Sequence, residues 1–261
     1  MSTVALYVPG SRPDRFDKAA ATGAGVILDL EDAVATEDKP AARAAVAQWL
    51  ATTAYDGPVQ VRVNAPGSAE IRRDLEAVPA TVDLRLPKVE SPADLKPVAD
   101  RRVHAILESA CGVENALAIG RHPAVATLSL GEADLAAELG MDGEEAFDGI
   151  RSRVVVASAA AGLPAPMMSA FPAVRDLDSL AASCRRGRRL GMRGRTAIHP
   201  VQVPVIRAVF EPSVEERAWA GDVLAALSAS GVATLSDGSM VDAAMARRAR
   251  AILGTRQPPA T

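Results

Sequence analysis

The chain has 261 residues, a formal net charge of -3, 49% hydrophobic residues and only 3% aromatics. That length holds a large domain with a substantial core, while scarce aromatics and the lack of a basic excess exclude a nucleic-acid binder. Cys111 and Cys184 are too few for a disulfide framework or a cysteine-rich zinc site. Met1-Ser2-Thr3-Val4 does not begin a signal peptide, and no run approaches about 18 uninterrupted apolar residues, so a cytoplasmic protein without a membrane span is expected.

Val4–Val8 reads as a first strand stopped by Pro9-Gly10, and Pro13–Ala21 as a helix with Arg12, Arg15 and Lys18 near its start. Basic side chains there suit a phosphate or carboxylate. Gly25-Val26-Ile27-Leu28-Asp29-Leu30-Glu31-Asp32 begins as a strand buried on both faces and ends in clustered carboxylates. Alternation puts Asp29 and Glu31 on one side and leaves Asp32 at the turn. A helix over 40–50 follows, then strands at Val59–Asn64 and Asp83–Lys88, separated by a helix over 67–77. Ser91-Pro92 opens another helix with a serine cap. Val103–Glu108 and Val125–Leu130 are the fifth and sixth strands, with a helix over 112–119 between them. Asp142–Ala161 and Leu177–Leu190 are helical, Pro166–Ser169 is a poor seventh strand, and Gly194–Pro200 is an eighth.

Eight strand-like runs alternating with helices predict a closed (β/α)8 TIM barrel over residues 1–200. A doubly wound open sheet is the alternative, but its Gly-x-Gly-x-x-Gly fingerprint is missing. Residues 201–261 read as a C-terminal helical extension, a lid or an oligomerisation element, with a frayed end at Gln257–Thr261.

In such folds ligands sit at the carboxyl ends of the strands. Glu31, Asp32, Arg62, Asn64, Lys88, Glu108, Asp134 and His199 fall there, while the strand interiors read as apolar. Glu108 and Asp134 form a hard oxygen pair suited to Mg²⁺. Zinc is disfavoured, since His104, His122 and His199 form no local cluster. His104 shares a side with Glu108 and reads as a layer residue beneath the site. Arg62 can grip a carboxylate or stabilise an enolate or carbonyl oxygen. No Gly-x-Ser-x-Gly elbow and no clear partner for Cys111 supply a nucleophile.

Taken together, Val8-Pro9-Gly10-Ser11-Arg12-Pro13-Asp14-Arg15-Phe16, Leu28–Val34, Asp38–Arg43, Val61–Asn64, Leu86–Ser91, Ala197–Pro200 and Gly238-Ser239-Met240-Val241-Asp242 resemble the citrate lyase β-subunit-like branch of the HpcH/HpaI aldolase superfamily. The resemblance implies a metal-dependent barrel that cleaves or forms a carbon–carbon bond beside a CoA thioester. It implies Glu108 and Asp134 as Mg²⁺ ligands, Arg62 on the keto-acid or carbonyl oxygen, and Glu31 and Asp32 as acids near the metal waters. Arg12, Arg15 and Lys18 fall where relatives meet the CoA phosphates, and Lys88 belongs to the substrate-binding set. Asp242 matches a tail aspartate that reaches a neighbouring subunit's site, which implies a homo-oligomer, a trimer or hexamer.

The chain departs from the family pattern in Glu108-Ser109-Ala110-Cys111, in Gly131-Glu132-Ala133-Asp134 and at Ser169, which stands near the usual acid of the seventh strand. The implied reaction is a retro-Claisen cleavage of a citryl-, citramalyl- or malyl-CoA type 3-hydroxyacyl thioester to acetyl-CoA and a keto acid. A class II pyruvate-type aldolase on a free hydroxy-keto acid, and a non-catalytic lyase subunit dependent on an acyl carrier protein, are the alternatives.

Overall fold

The computed structural model describes residues 2–230, 233–234 and 240–254. Two compact units divide the chain, Met1–Phe210 and Glu211–Thr261.

In the first unit seven parallel strands make one sheet: β1 (Val4–Pro9), β2 (Gly25–Asp29), β3 (Val59–Arg62), β4 (Asp83–Leu86), β5 (Val103–Leu107), β6 (Val125–Leu130) and β7 (Arg195–Ala197). Their order is β6-β5-β4-β3-β2-β1-β7, so sequential strands are neighbours, as right-handed βαβ crossovers produce. Pro166–Ser169, expected as a strand, contributes two isolated parallel bridges, Met167 to Ser129 on one edge of the sheet and Met168 to Arg195 on the other.

The connections are α1 (Phe16–Ala20), α2 (Lys39–Thr52), α3 (Ile71–Ala77), α4 (Ala110–Glu114), α5 (Ala116–Gly120), α6 (Glu132–Leu139), α7 (Asp148–Ala160), α8 (Leu177–Arg189) and α9 (Gln202–Phe210). Helix α6 was not legible from periodicity. The segment opened by Ser91 is a 3₁₀ helix, Pro92–Val98, with the Asp94 carboxylate reaching back 2.7 Å to the Ser91 N–H. Pro97 lies inside it and removes a donor that an α-helix would need. The first unit runs past residue 200 because α9 packs on α8, β1 and β7.

The two faces of the sheet differ. Leu6, Val8, Leu28, Val61, Leu84, Leu86, Ala105, Leu107, Leu128 and Leu130 pack outward with Val46, Trp49, Ile119, Val154, Leu180 and Ile206 of the helices, forming the main core. Alternate residues on the other face are largely polar: Asp29, Gln60, Arg62, Asp83, Arg85, His104, Thr127 and Ser129 line cavities there, beside Tyr7 and Ile106. The expectation of apolar strand interiors therefore holds for one face only.

The second unit consists of α10 (Val214–Ser230), the antiparallel pair β8 (Ala233–Thr234) and β9 (Met240–Val241), and α11 (Ala243–Leu253). Ala220, Val223, Val241 and Ala249 form its core. Ser213 and Glu216 make the expected capping box. Asp242 caps α11, its carboxylate accepting 2.7 Å from the Met245 N–H. Gly238 and Ser239 of the tail motif, and the end at Gln257–Thr261, lie outside the described residues. No helix among the described residues is long and apolar enough to cross a membrane.

Candidate active site

A cleft of about 420 Å³ opens at the carboxyl ends of the strands of the first unit. Its lining includes Arg15, Asp29, Asp32, Arg62, Arg85, Glu108, Asp134 and Ser169. Arg62, the last residue of β3, lines it. Burial works against its charge, but Asp29 outweighs this by gripping Nε at 2.7 Å and Nη2 at 2.5 Å, and the guanidinium is held firmly protonated. Nη1 approaches Glu31 at 2.9 Å and Asp32 at 3.6 Å, and the group lies over the Tyr7 ring, 5.1 Å from its centroid. Asp29 is thus the residue that aims Arg62.

The turn after β2 is built to project carboxylates. The Glu31 N–H donates to Asp29 Oδ1 at 3.0 Å. Lys39, buried at the start of α2, donates to the carbonyls of Leu30 at 2.8 Å and Glu31 at 3.0 Å, and to Asn64 Oδ1 at 2.7 Å. Asn64 points into this support rather than into the cleft, donating to the Leu30 carbonyl and to Asp74. Glu31 is 5% exposed; Arg62 Nη1 and Lys88 Nζ (3.4 Å) are its charged neighbours, yet neither of its oxygens has a partner in hydrogen-bond geometry among the described residues. Burial pushes its carboxyl up to about 7, opposed by Arg62 and helped by Asp32.

Glu108 follows β5 and is 8% exposed. Its Oε1 accepts 2.7 Å from the Lys88 N–H, which Lys88 presents from a left-handed backbone, φ 54°. That conformation is costly for a side chain with a Cβ and marks a strained site residue. An ideal Cβ on Gly131 would lie 2.5 Å from both Glu108 Cβ and Oε2, so only glycine lets Glu108 lie across the end of β6. Burial, then the charges of Glu31 and Asp134, push the Glu108 carboxyl up to about 7.

Asp134 is exposed in the first turn of α6 and lines the same cleft. The start of that helix is anchored from below. Arg151, fully buried, grips Glu132 through Nε at 2.6 Å and Nη2 at 2.8 Å, and Glu144 through Nη1 at 2.5 Å. Ser169 Oγ accepts from the Glu132 N–H at 3.0 Å and donates to the Leu130 carbonyl at 2.6 Å. Of the two acids in Gly131-Glu132-Ala133-Asp134, Glu132 is consumed by Arg151 and Asp134 is available.

An adjoining cleft of about 390 Å³ shares Tyr7, Pro9, Arg15 and Ile198 with the first and adds Arg12, Lys18 and His199. Arg12 is paired with Asp14 through two bonds of 2.8 Å, whereas Arg15 and Lys18 are exposed. The first unit therefore brings together Glu31, Asp32, Arg62, Lys88, Glu108 and Asp134, with Arg12, Arg15 and Lys18 alongside. Asp242 belongs to the second unit, where it serves as a helix cap. Arg85, which sequence reading missed, also faces the cleft and lies over Tyr7 at 5.6 Å. Its signal was the alternation Asp83-x-Arg85 within a buried strand.

A divalent cation fits this donor set. Among the described residues no three acidic, histidine or cysteine side chains form a metal cage. Glu108 and Asp134 instead supply two hard oxygen donors, and the Glu31 carboxylate, paired with Arg62, is near enough to Glu108 for its charge to raise the Glu108 carboxyl. A site of one or two carboxylates completed by waters and substrate oxygens is the arrangement Mg²⁺ favours.

The sequence profile of the HpcH/HpaI aldolase/citrate lyase family matches residues 3–200. The chain belongs to this family. It is 38% identical over 259 residues to the citrate lyase subunit beta-like protein of Mycobacterium tuberculosis, covering 95% of this chain and 93% of that protein. It is 37% identical over 253 residues to a (3S)-malyl-CoA thioesterase of Cereibacter sphaeroides, with 91% and 88% covered. The crystal structure of CitE from Mycobacterium tuberculosis with magnesium, acetoacetate and coenzyme A is similar at a TM-score of 0.80, with 35% identity and 97% of each chain covered.

Proposed function

We propose that this protein is a Mg²⁺-dependent carbon–carbon lyase that cleaves a 3-hydroxyacyl-CoA of the citryl-, citramalyl- or malyl-CoA type to acetyl-CoA and a keto acid. The observation that carries the reading is the Arg62–Asp29 pair standing in one cleft with Asp32, Glu108 and Asp134, with Glu31 buried behind it against Arg62 Nη1 at 2.9 Å. The CitE neighbour crystallised with magnesium, a keto acid and CoA supports the same assignment of ligands. The two bridges made by Met167 and Met168 support reading the sheet as an eight-position barrel, with that segment in the seventh place.

In this reading Glu108 and Asp134 hold the metal, which when bound supplies a Lewis-acidic charge at the oxygens of the reacting acid. Arg62 binds the carboxylate or carbonyl oxygen and stabilises the negative charge that develops there, preorganised by Asp29 so that little reorientation is needed. Glu31, its carboxyl raised to about 7, takes the hydroxyl proton as the bond to the thioester α-carbon breaks. Asp32, more exposed, exchanges protons with solvent at the cleft mouth. Arg15 and Lys18, with Arg12, meet the CoA phosphates in the adjoining cleft. Asp242 protonates the enolate of acetyl-CoA from a neighbouring copy, the second unit serving as a shared lid of a homo-oligomer.

The basic cleft favours a CoA thioester over a free hydroxy-keto acid, and the assembled acids favour catalysis over a purely carrier-binding subunit. Similarity to a malyl-CoA thioesterase supports a second reading, hydrolysis of the same thioesters. Citramalyl-, malyl- and citryl-CoA offered with Mg²⁺ separate these readings: the lyase releases acetyl-CoA and a keto acid, the thioesterase free CoA and the intact hydroxy acid. Full activity in Glu108→Ala would overturn the site assignment.

A further inference from the structure

The amino-terminal ends of the same strands enclose a second cavity of about 120 Å³. Its lining carries three arginines, Arg85, Arg102 and Arg193, against one carboxylate, Asp83. Asp83 is already engaged, its Oδ2 lying 2.9 Å from His104 Nε2 and 3.2 Å from Arg102 Nε. Arg85 is 4% exposed and pairs with no carboxylate among the described residues. Its Nη1 donates to Gln60 Oε1 at 3.2 Å and its Nη2 to Ser129 Oγ at 3.1 Å, while its buried Nε has no partner. Arg193 Nε is likewise buried and unpartnered, and burial alone lowers the pKa of that guanidinium from its ordinary value. A buried cation without a counter-charge is costly; Arg85 is one, and the partly buried Arg193 adds a second guanidinium without a carboxylate partner among the described residues to the same small polar cavity.

We propose that this cavity is a binding site for a small oxyanion, the size of phosphate or a short carboxylate, held by Arg85 and Arg193. The volume admits a compact anion but excludes a nucleotide or an acyl-CoA, so the site is distinct from the cleft at the opposite strand ends. Arg85 lines both cavities, whereas Arg193 lines only this one, which makes Arg193 the discriminating residue. The ligand takes the terminal guanidinium N–H donors that Arg85 and Arg193 do not spend on protein acceptors, the partner chemistry these groups are suited to.

The test is thermal unfolding and calorimetric titration of the full chain with inorganic phosphate or acetate, at ionic strength held constant with sodium chloride. The wild type is expected to show a saturable rise in Tm with one of the two anions. Arg193→Gln, which breaks no existing bond, weakens that binding about tenfold or more, and Arg193→Lys weakens it less. Arg15→Gln, in the basic cleft at the other mouth, leaves it unchanged. Phosphate dependence identifies a phosphate-type ligand, and acetate dependence a carboxylate. No saturable response in the wild type, or a response lost in Arg15→Gln but kept in Arg193→Gln, overturns the proposal.

Discussion

Asp29→Asn is the most direct test of how the active site is held. The substitution keeps the shape and one acceptor but removes the charge that Arg62 grips at 2.7 and 2.5 Å. A hydrogen bond to a charged group contributes about 1.5–3 kcal/mol, and breaking a buried pair costs about 3–5 kcal/mol. Arg62 keeps Glu31 at 2.9 Å and Asp32 at 3.6 Å, so its charge is not abandoned and the loss should fall near the lower figure, about 2 kcal/mol. Released from Asp29, the guanidinium swings toward those carboxylates, and a similar loss of transition-state stabilisation lowers kcat/KM roughly 30-fold. Urea unfolding at unchanged m measures the first quantity and steady-state kinetics the second. Asp74→Asn is the control: Asp74 is equally buried but holds Arg43 and Asn64, outside the cleft lining. Equal losses of kcat/KM in the two variants, under conditions where both are folded, would refute the claim that Asp29 aims Arg62.

Gly131→Ala places a methyl 2.5 Å from the Glu108 carboxylate, so Mg²⁺ affinity measured by calorimetry without substrate should fall at least tenfold while the far-UV spectrum is kept. Arg151→Met leaves Glu132 and Glu144 without their cation and should destabilise the protein by about 3–5 kcal/mol, seen as a lower urea midpoint; an unchanged midpoint would show that the pair does not anchor α6. His104 is pushed below its ordinary pKa by burial, against the opposing pull of Asp83, so the unfolded chain binds its proton more readily than the folded one. Its contribution is therefore present above about pH 6.5 and declines as pH falls from there toward the folded value. The stability difference between wild type and His104→Gln should shrink across that acidic window, and a difference that grows would contradict this sign.

The strands were legible because each carries apolar residues at alternate or successive positions between turn residues, and the sheet keeps them in chain order except for β7 beside β1. Glu31, Arg62 and Glu108 lie at the ends of buried strands, where charge has one place to go, whereas Asp134 reaches the same cleft from the first turn of α6. What could not be read were partners distant in the chain. Nothing in the sequence around Lys39 indicates that its amine ties Leu30, Glu31 and Asn64 together. Arg151, within a segment read only as helical, is fully buried and grips Glu132 of α6. Arg85 was hidden by the assumption of apolar strand interiors, because hydrophobic content does not reveal that the other face of the sheet carries a polar column.

That column bears on the acids at its top. Asp29 spends both oxygens on Arg62, and Glu132 spends both on Arg151, so each of these buried carboxylates is neutralised by a bidentate arginine. Glu31 and Glu108 have no bidentate arginine: the first meets Arg62 Nη1 at 2.9 Å and Lys88 Nζ at 3.4 Å, and Lys88 gives the second one backbone N–H from a left-handed conformation. Burial and mutual repulsion leave these two raised to about 7, so a cation bound beside them, as proposed, would favour their charged forms. The strained Lys88 and the Cβ-free Gly131 both act on Glu108, which makes its carboxylate the atom group whose position the fold has been shaped to hold.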